Sequence, residues 1–336
     1  METPMTPPGK LQAGDVIDQF RLKDKLHVGG MATLWDIEPL QAAPDVPLIM
    51  KIPRIKGGED PATIVGFEVE QMVMPMLSGP HVPHFVTKGD FIQQPYIVME
   101  RIQGESLRPR LDKAPLPFEE VADIGQRVAF ALHELHKQHL VHLDVKPSNI
   151  MFRHTGQAVL VDFGLSSHAQ LPDLLEEEFS LPMGTGPYMS PEQVQFIRND
   201  PRSDLFALGV MLYHLTTGER PFGNPTSVSG LRKRLYTDAI PPRAHRPDTP
   251  PWLQEVIMRC LEVDPAKRYQ TGAQLALDLQ HPEQIPLTKR AEHTAPRGSL
   301  SSFKRWFKAM GAEPEPQANA TQHVEQSPII MVAIAT

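Results

Sequence analysis

Apolar and polar residues alternate along the first hundred positions of the chain in the manner of β-strands. Residues 18–40 show this alternation twice, with a Gly-Gly pair between the two runs, so they predict two antiparallel strands joined by a turn. Residues 47–55 predict a third strand, and residues 94–101 predict a buried strand because apolar side chains follow one another there. Residues 61–77 predict a helix. The first part of the chain is therefore expected to form a small sheet with one helix.

Helical spacing takes over in the second part of the chain. Apolar residues recur at intervals near 3.6 positions over residues 118–138, 203–217, 251–261 and 271–280. Beyond residue 281 the composition shifts towards Pro, Gly, Ser, Thr, Ala and Gln, which indicates a tail. We therefore predict four parts: a flexible leader (1–15), a β-rich lobe (16–102), a mostly helical lobe (103–281) and a Pro/Ser-rich tail (282–336).

Composition and charge exclude several classes of protein. The 336 residues carry a formal net charge of -7, whereas binding to nucleic acid needs clustered Lys and Arg, so no nucleic-acid partner is expected. No run approaches the roughly 18 apolar residues of a membrane-spanning helix, and the N-terminus lacks the pattern of a secretory signal. A single cysteine, Cys260, excludes a disulfide framework. These features predict a cytoplasmic protein with Cys260 buried.

The strongest chemical signal is the run HLDVKPSN at 142–149, together with the VDFG that follows it. Asp162 and Asn149 offer the hard oxygen ligands that Mg²⁺ prefers. Asp144 can accept the proton of an attacking hydroxyl, and Lys146 can balance charge on a transferring phosphate. The alternative is that these carboxylates only form loop turns, because Asp often hydrogen-bonds its own backbone. The combination favours phosphoryl transfer.

A lysine and a glutamate upstream fit the same chemistry. Lys51 ends the apolar strand LIMK, where it can hold the α- and β-phosphates of a nucleotide. Glu70 lies on the amphipathic helix that follows. Burying a lysine without a carboxylate is expensive, so we expect an ion pair between Lys51 and Glu70. The alternative is a solvated lysine at the end of the strand.

Three further motifs occur downstream in a fixed order: GTGPYMSPE at 184–192, RSD at 202–204 and DPAKR at 264–268. Together with the segments above, they resemble the protein kinases, and in particular the bacterial Hanks-type serine/threonine kinases. The resemblance covers about residues 18–281. It implies an α+β, two-lobed protein kinase fold, with a small β-rich N-lobe that carries one helix and a larger, mostly helical C-lobe.

The resemblance implies transfer of the ATP γ-phosphate to Ser and Thr hydroxyls of protein substrates, with Mg²⁺ or, in its place, Mn²⁺. Lys146 and Thr185 favour serine/threonine over tyrosine specificity. Glu192 is expected to pair with Arg268, and Asp204 is expected to brace the catalytic loop. Small-molecule phosphotransferases share the nucleotide-binding half of this fold but generally lack these motifs, which argues against that class.

The resemblance also implies which residues surround the nucleotide. The adenine is expected near residues 99–102, with Lys51 and Glu70 positioning ATP. Asn149 and Asp162 are expected to hold the metal ion. The full set of expected ATP-binding residues is Leu26, Val28, Gly29, Gly30, Leu34, Lys51, Glu70, Met99, Glu100, Ile102 and Asn149.

Two features depart from the family pattern. In the nucleotide loop, His27 and Ala32 stand where the first and third of three glycines are usual. Glycine lets the backbone approach phosphate closely, so we expect weaker or altered ATP affinity. Leu143 stands where most such kinases have an arginine that pairs with a phosphorylated activation-loop residue, so activity is not expected to need phosphorylation by that route. Both departures also suit a pseudokinase that binds nucleotide or a partner without catalysis.

Four histidines precede or enter the catalytic loop: His133, His136, His139 and His142. Their spacing does not match the HExxH pattern of zinc sites. We therefore predict no zinc site, and the resemblance to the kinases implies packing roles for the histidines at the end of the helix predicted over residues 118–138.

The tail contains two apolar patterns. Residues 301–311, SSFKRWFKAMG, predict a short basic amphipathic helix, for which docking onto protein is favoured over a membrane surface. Residues 327–336 form an apolar strand pattern that weakly resembles the first strand of a universal stress protein domain. A missing C-terminal domain of that kind is therefore a hypothesis.

Overall fold

The computed structural model describes residues 11–54, 61–179 and 182–294, which form two lobes. The small lobe contains one antiparallel sheet in the strand order β1-β2-β3-β4-β6-β5. Its strands are β1 (Val16–Ile17), β2 (Phe20–Val28), β3 (Ala32–Pro39), β4 (Leu48–Pro53), β5 (Phe85–Gly89) and β6 (Tyr96–Glu100). The four strands predicted from the sequence are confirmed.

One face of this sheet is buried because its strands alternate. Phe20 and Leu22 on β2, Trp35 and Ile37 on β3, and Met50 on β4 lie in one apolar cluster. The residues between them on β2 and β3 are more exposed. Burial of the alternate positions fixes the register of the sheet, since a slip by one residue would expose this cluster.

Helix α1 (Pro61–Val73) accompanies the sheet and buries Phe67 and Glu70. The sequence pattern predicted a helix to residue 77. The α-helix instead ends at Val73, and the chain continues as a 3-10 turn over Met74–Met76. This turn contains Pro75, whose nitrogen cannot donate the hydrogen bond that an α-helix requires.

The large lobe is mostly helical, as predicted. Its helices are α2 (Arg108–Leu111), α3 (Phe118–His136), α4 (Leu174–Glu178), α5 (Pro191–Val194), α6 (Arg202–Thr217), α7 (Val228–Arg232), α8 (Pro242–His245), α9 (Pro251–Cys260), α10 (Gly272–Gln280) and α11 (Lys289–Glu292). Helix α6 is buried along most of its length and packs against α3 and α9. The four predicted long helices are confirmed to within two residues at each end.

The other described strands are short and lie in the large lobe. They are β7 (Gly104–Ser106), β8 (Leu140–Val141), β9 (Ile150–Arg153), β10 (Ala158–Leu160) and β11 (Ser167–His168). They form two small sheets, ordered β10-β9-β7 and β11-β8. Cys260 is fully buried at the end of α9, as predicted.

Both ends of the described chain pack onto the lobes. Leu11 contacts the apolar cluster of the small lobe, and the Gly14 amide donates to the Leu22 carbonyl. At the other end, Gln254 of α9 is buried and donates to the carbonyls of Arg290 and His293 at 2.7 and 2.9 Å. The first residues of the predicted tail therefore lie on the large lobe. The predicted amphipathic helix and terminal strand lie outside the described residues.

Among the residues described, we find no helix with the length and apolar character needed to cross a bilayer.

Candidate active site

A cavity of about 620 Å³ opens between the two lobes, a volume in the range of small-molecule binding sites. The small lobe contributes its nucleotide loop, strand β4 and helix α1, and the large lobe contributes the loops around β9 and β10. Predicted site residues that line the cavity are Gly29, Gly30, Leu34, Lys51, Glu70, Met99, Glu100, Ile102, Asp144, Lys146, Asn149 and Asp162. Sequence positions more than a hundred residues apart thus meet in one place.

On the small-lobe side of this cavity, Lys51 contacts two carboxylates. Its Nζ donates to Glu70 Oε2 at 2.5 Å and to Asp162 Oδ1 at 2.8 Å, which confirms the predicted ion pair with Glu70. Burial lowers the pKa of Lys51, but the carboxylates of Asp162 and Glu70 outweigh burial and raise this pKa. The charge of Lys51 in turn lowers the pKa of Asp162 to about 2. At neutral pH the site therefore holds a protonated lysine and an ionised Asp162.

A hairpin brings Asn149 and Asp162 together. Strand β9 begins directly after Asn149, and β10 ends two residues before Asp162. The strands pair antiparallel with Leu160 opposite Ile150, and the Val161 amide donates to the Asn149 carbonyl at 3.0 Å. The two residues therefore leave the same end of one hairpin and face the same cavity.

Asp144 is held by three neighbours. Lys146 Nζ donates to its Oδ2 at 2.5 Å, and Asn149 Nδ2 donates to the same oxygen at 3.1 Å. Thr185 Oγ1 donates to the other oxygen, Oδ1, at 2.7 Å. These contacts orient the carboxylate and join the catalytic loop to the GTGPYMSPE segment. The link from Thr185 to Asp144 was not specified by the sequence.

A second aspartate holds the backbone of the catalytic loop, residues 142–149, in place. Asp204, on the first turn of α6, is 1% exposed. It accepts hydrogen bonds of 2.9 Å from the amides of His142 and Leu143 and from His136 Nε2. The predicted bracing role is thus confirmed, and the ring of His136 adds a hydrogen bond to it, beyond the packing role predicted for this residue. Charge-assisted bonds of this kind are among the stronger ones in proteins.

The other predicted ion pair of the large lobe is also present. Arg268 donates from Nη1 and Nη2 to the two carboxylate oxygens of Glu192, at 2.9 and 2.8 Å, and both side chains are almost fully buried. This bidentate pair anchors the end of the activation segment, which is the stretch of chain over residues 162–192, to the large lobe.

The nucleotide loop between β2 and β3 has fewer supports. The Gly29 amide donates to the Ala32 carbonyl at 2.9 Å, and Arg54 Nη1 donates to the Gly29 carbonyl at 2.8 Å. Arg54 was not predicted as part of the site, since nothing in the sequence distinguishes it from a surface arginine. It fixes the one glycine of the loop that matches the family pattern.

Two predicted nucleotide contacts do not line the cavity. Leu26 and Val28 are 39% and 55% exposed, and His27 between them lines the cavity instead. The register of β2 is irregular between Lys25 and His27, so simple alternation of side chains does not fix where Leu26 and Val28 point. Contact of Leu26 and Val28 with a bound nucleotide stays a prediction.

An ion pair joins the lobes beside the expected adenine position. Arg153 of β9 forms a bidentate pair with Glu100 at the end of β6, and this contact lowers the pKa of Glu100. The Glu100 side chain therefore serves the connection between the lobes. A separation of 53 residues in the sequence gives no signal for such a pair.

The donors for a metal ion are few and are all oxygens. Within residues 11–54, 61–179 and 182–294, no group of three or more His, Cys, Asp and Glu side chains could hold a metal ion by itself. Asp162 supplies an ionised carboxylate. Asn149 donates its Nδ2 to Asp144, and its amide oxygen accepts one hydrogen bond, from Ser148 Oγ at 3.2 Å, which leaves a second lone pair for a metal ion. Such a pair fits Mg²⁺, which usually takes one or two protein ligands together with substrate phosphates and water.

The fold and this cavity define a two-lobed protein with a small-molecule site between its lobes. Residues 58–281 match the model of the protein kinase domain family, so the chain belongs to the protein kinases. Solved structures of the PknI kinase domain of Mycobacterium tuberculosis share the fold: one superposes with a TM-score of 0.60 at 24% sequence identity, over 81% of this chain and 99% of that domain.

Relatives with the same fold carry kinase names. The chain is 34% identical over 221 residues to a probable serine/threonine-protein kinase of Clostridium perfringens, over 66% of this chain and 32% of that protein. It is 31% identical to PknB of Mycobacterium leprae, over 85% of this chain and 46% of that protein. It is 30% identical to PknB of Mycobacterium tuberculosis, over 89% and 48%. The chain thus spans less than half the length of these relatives.

Proposed function

We propose that this chain is an active serine/threonine protein kinase, which transfers the γ-phosphate of ATP to hydroxyl groups of proteins. The observation that carries the proposal is the arrangement of Lys51 between Glu70 and Asp162, with Asp144 and Asn149 facing the same cavity. A structural role alone does not require a buried lysine, two aspartates and an amide around one empty volume. Phosphoryl transfer requires groups of this kind.

ATP would lie with its adenine against Met99 and Ile102 and with its phosphates towards Lys51. Asp162 and the Asn149 amide oxygen would hold Mg²⁺, or Mn²⁺ in its place. The bound ion would neutralise charge on the phosphates. The preformed pair of Lys51 and Glu70 supports binding, because little side-chain ordering is left to occur when the nucleotide enters.

Asp144 is the residue that receives the acceptor hydroxyl. The hydroxyl oxygen attacks the γ-phosphorus, the bond from that phosphorus to the β,γ-bridging oxygen breaks, and ADP leaves. The hydroxyl proton passes to the Asp144 carboxylate and then to water. Lys146, 2.5 Å from Asp144, offers its positive charge to the transferring group. Thr185, hydrogen-bonded to Asp144, supports Ser and Thr as acceptors.

Protein Ser and Thr hydroxyls are proposed as the substrates on the strength of the relatives' names and the intact activation segment. A cytoplasmic location is proposed from the single, buried Cys260. The resemblance of residues 327–336 to a universal stress protein strand stays a prediction.

The test measures transfer of radiolabelled phosphate from ATP to a general protein substrate. Asp144→Asn and Asp162→Ala are expected to lower kcat by roughly a thousandfold or more. Asp123→Asn is the matched control, because Asp123 forms an exposed pair with Arg127 on α3, and it should keep wild-type activity. Phosphoamino acid analysis of the product should find phosphoserine and phosphothreonine.

Three results would contradict the proposal. Wild-type protein that binds ATP without transferring phosphate would be a pseudokinase. Equal transfer by wild type and Asp162→Ala would indicate a contaminating kinase. Phosphotyrosine as the main product would overturn the specificity.

A further inference from the structure

The position before Asp144 carries no charge. Leu143 is 3% exposed, and its backbone adopts a left-handed φ of 62°. Its amide donates to Asp204 and its carbonyl accepts from Gln193 Nε2 at 2.7 Å. A buried leucine cannot bind an acidic group of the activation segment. Other contacts therefore order this segment.

Arg198, in the loop between α5 and α6, contacts the activation segment at two points. Its Nε donates to Asp173 Oδ2 at 2.8 Å, and its Nη2 donates to the Leu165 carbonyl at 2.9 Å. The Arg198 and Asp173 side chains are 9% and 13% exposed. An arginine–carboxylate pair with this little exposure is screened weakly by water, so it is stronger than a surface ion pair.

Asp173 uses its second oxygen inside the segment. Its Oδ1 accepts from the Glu176 amide at 3.2 Å and caps helix α4. Helix α4 packs against α1, the helix that carries Glu70, and Leu175 of α4 is 1% exposed in the apolar core. The Asp173 carboxylate thereby links Arg198 of the large lobe to α4. Through α4 it is linked to α1, the helix whose Glu70 pairs with Lys51.

The second contact of Arg198 lies close to the metal-binding aspartate. Leu165 follows Asp162 by three residues, and the Ser166 amide donates to the Phe163 carbonyl at 3.0 Å. A hydrogen bond to the Leu165 carbonyl therefore limits movement of the backbone directly after Asp162. Arg198 does not face the cavity, so it acts through this backbone.

We propose that Arg198 and Asp173 are positioning residues for phosphoryl transfer: their ion pair, named here the activation-segment clasp, holds the segment in place by a permanent carboxylate where a phosphate group would otherwise be needed. The proposal rests on the proposed kinase activity. A side chain fixed in the sequence supplies the negative charge, so the clasp forms as the protein folds and needs no prior modification.

The test compares Arg198→Ala, Asp173→Asn and the double variant R198A/D173N, all treated with a general protein phosphatase. Each single variant is expected to lower kcat by roughly tenfold to a hundredfold, the range for losing a charge-assisted hydrogen bond. The double variant should be no worse than the poorer single variant, because the two residues act as one unit. Arg198→Lys should restore part of kcat.

Hydrogen exchange gives a readout that needs no activity. Amides of residues 165–178 are expected to exchange roughly tenfold faster or more in Arg198→Ala, with the melting temperature of the domain changed little. The matched control is Arg127→Ala. Arg127 likewise donates to a carboxylate, Asp123, and to a carbonyl, that of Gly156, at 2.8 and 2.9 Å, but it lies on α3.

Several outcomes would overturn the clasp. Unchanged kcat and unchanged exchange in Arg198→Ala would do so, as would losses that simply add in the double variant. A wild-type enzyme that loses activity on phosphatase treatment and regains it on rephosphorylation would show that a phosphate, and not Asp173, orders the segment. If wild-type protein transfers no phosphate to any protein, the proposed function fails, and hydrogen exchange still tests the clasp.

Discussion

The catalytic loop and the nucleotide loop face each other across the cavity and are built differently. In the catalytic loop, Asp144 has three side-chain partners, and Asp204 fixes two amides below it. In the nucleotide loop, Val28 and Met31 are 55% and 58% exposed. The loop proposed to carry the chemistry is therefore preorganised, whereas the loop proposed to cover the nucleotide has few contacts to hold it.

The difference agrees with the way the two loops depart from the family pattern. The nucleotide loop replaces two glycines with His27 and Ala32 and keeps its turn through Gly29. The catalytic loop replaces one arginine with Leu143 and keeps every polar group that touches the cavity. A loosely held loop tolerates substitution because few partners must adjust. A networked loop tolerates only a change that leaves its hydrogen bonds intact.

The largest effect is expected from removing the support of the catalytic loop. Asp204→Ala leaves the amides of His142 and Leu143 and the ring of His136 without their acceptor. We expect a loss of about 3–5 kcal/mol in the free energy of unfolding, the cost of breaking a buried charged network, together with loss of kinase activity. Urea denaturation followed by fluorescence measures the stability.

Asp123→Ala is the control for that experiment, since its exposed ion pair should contribute less than about 1 kcal/mol. A similar free energy of unfolding for both variants would show that the catalytic loop is not held as the structure indicates.

A smaller effect is expected on the other side of the cavity. Lys51→Met removes the cation between Glu70 and Asp162, and we expect kcat/KM for ATP to fall roughly a hundredfold, as when one preorganised electrostatic partner of a transition state is lost. Steady-state kinetics at saturating protein substrate measures this change. Lys25→Met is the control, because Lys25 lies over the Trp35 ring on the sheet and not in the cavity. Equal losses in both variants would contradict a specific role for Lys51.

Pattern and motif predicted which residues meet in the cavity because several of those residues are close in sequence or belong to one motif. Asp144 and Asn149 lie on one short loop, and the β9–β10 hairpin places Asp162 beside them by local pairing. The helices of the large lobe were predicted for a related reason: helical spacing is a local signal, as in α10, whose N-terminal cap is the predicted first residue, Thr271.

Contacts between distant segments could not be predicted. The pairs Arg153 with Glu100 and Arg198 with Asp173 join charged residues that are common on any surface, and only the packing of the lobes decides which of them meet. The place of His27 in the cavity lining could not be predicted for another reason. The sequence shows that side chains alternate in a strand, but not which of the two faces lies towards the cavity.

A change of pH is expected to have a smaller effect, on the free energy of unfolding, through the ion pair between Lys51 and Asp162. Lys51 lowers the pKa of Asp162 to about 2 from 3.8, so this pair stabilises the folded state fully above about pH 4 and loses that contribution as the pH falls towards 2. Asp162→Asn should therefore lose less stability than wild type between pH 4 and pH 2 in parallel urea titrations. Equal losses would mean that the ion pair does not contribute to the folded state. Partial exposure of Asp162 keeps the expected difference small.

The smallest expected effect tests the nucleotide loop itself. His27 lines the cavity, and its Nε2 lies 3.5 Å from the position that a Cβ on Gly29 would occupy. The ring therefore fills space over the turn where a phosphate would approach the backbone. His27→Gly removes this bulk, and we expect ATP to bind roughly threefold more tightly, since closer approach of backbone amides to phosphate outweighs the added freedom of the loop.

Fluorescence titration with a labelled ATP analogue measures the dissociation constant of the His27→Gly variant, and Lys25→Met again serves as the control. Weaker binding by His27→Gly would show that the imidazole donates to the nucleotide, so that the departure from the glycine pattern would be a gained contact. Tighter binding with unchanged kcat would mean that the two loops act separately. In that case His27 would weaken ATP binding through the nucleotide loop alone and would have no effect on the hydrogen bonds around Asp144.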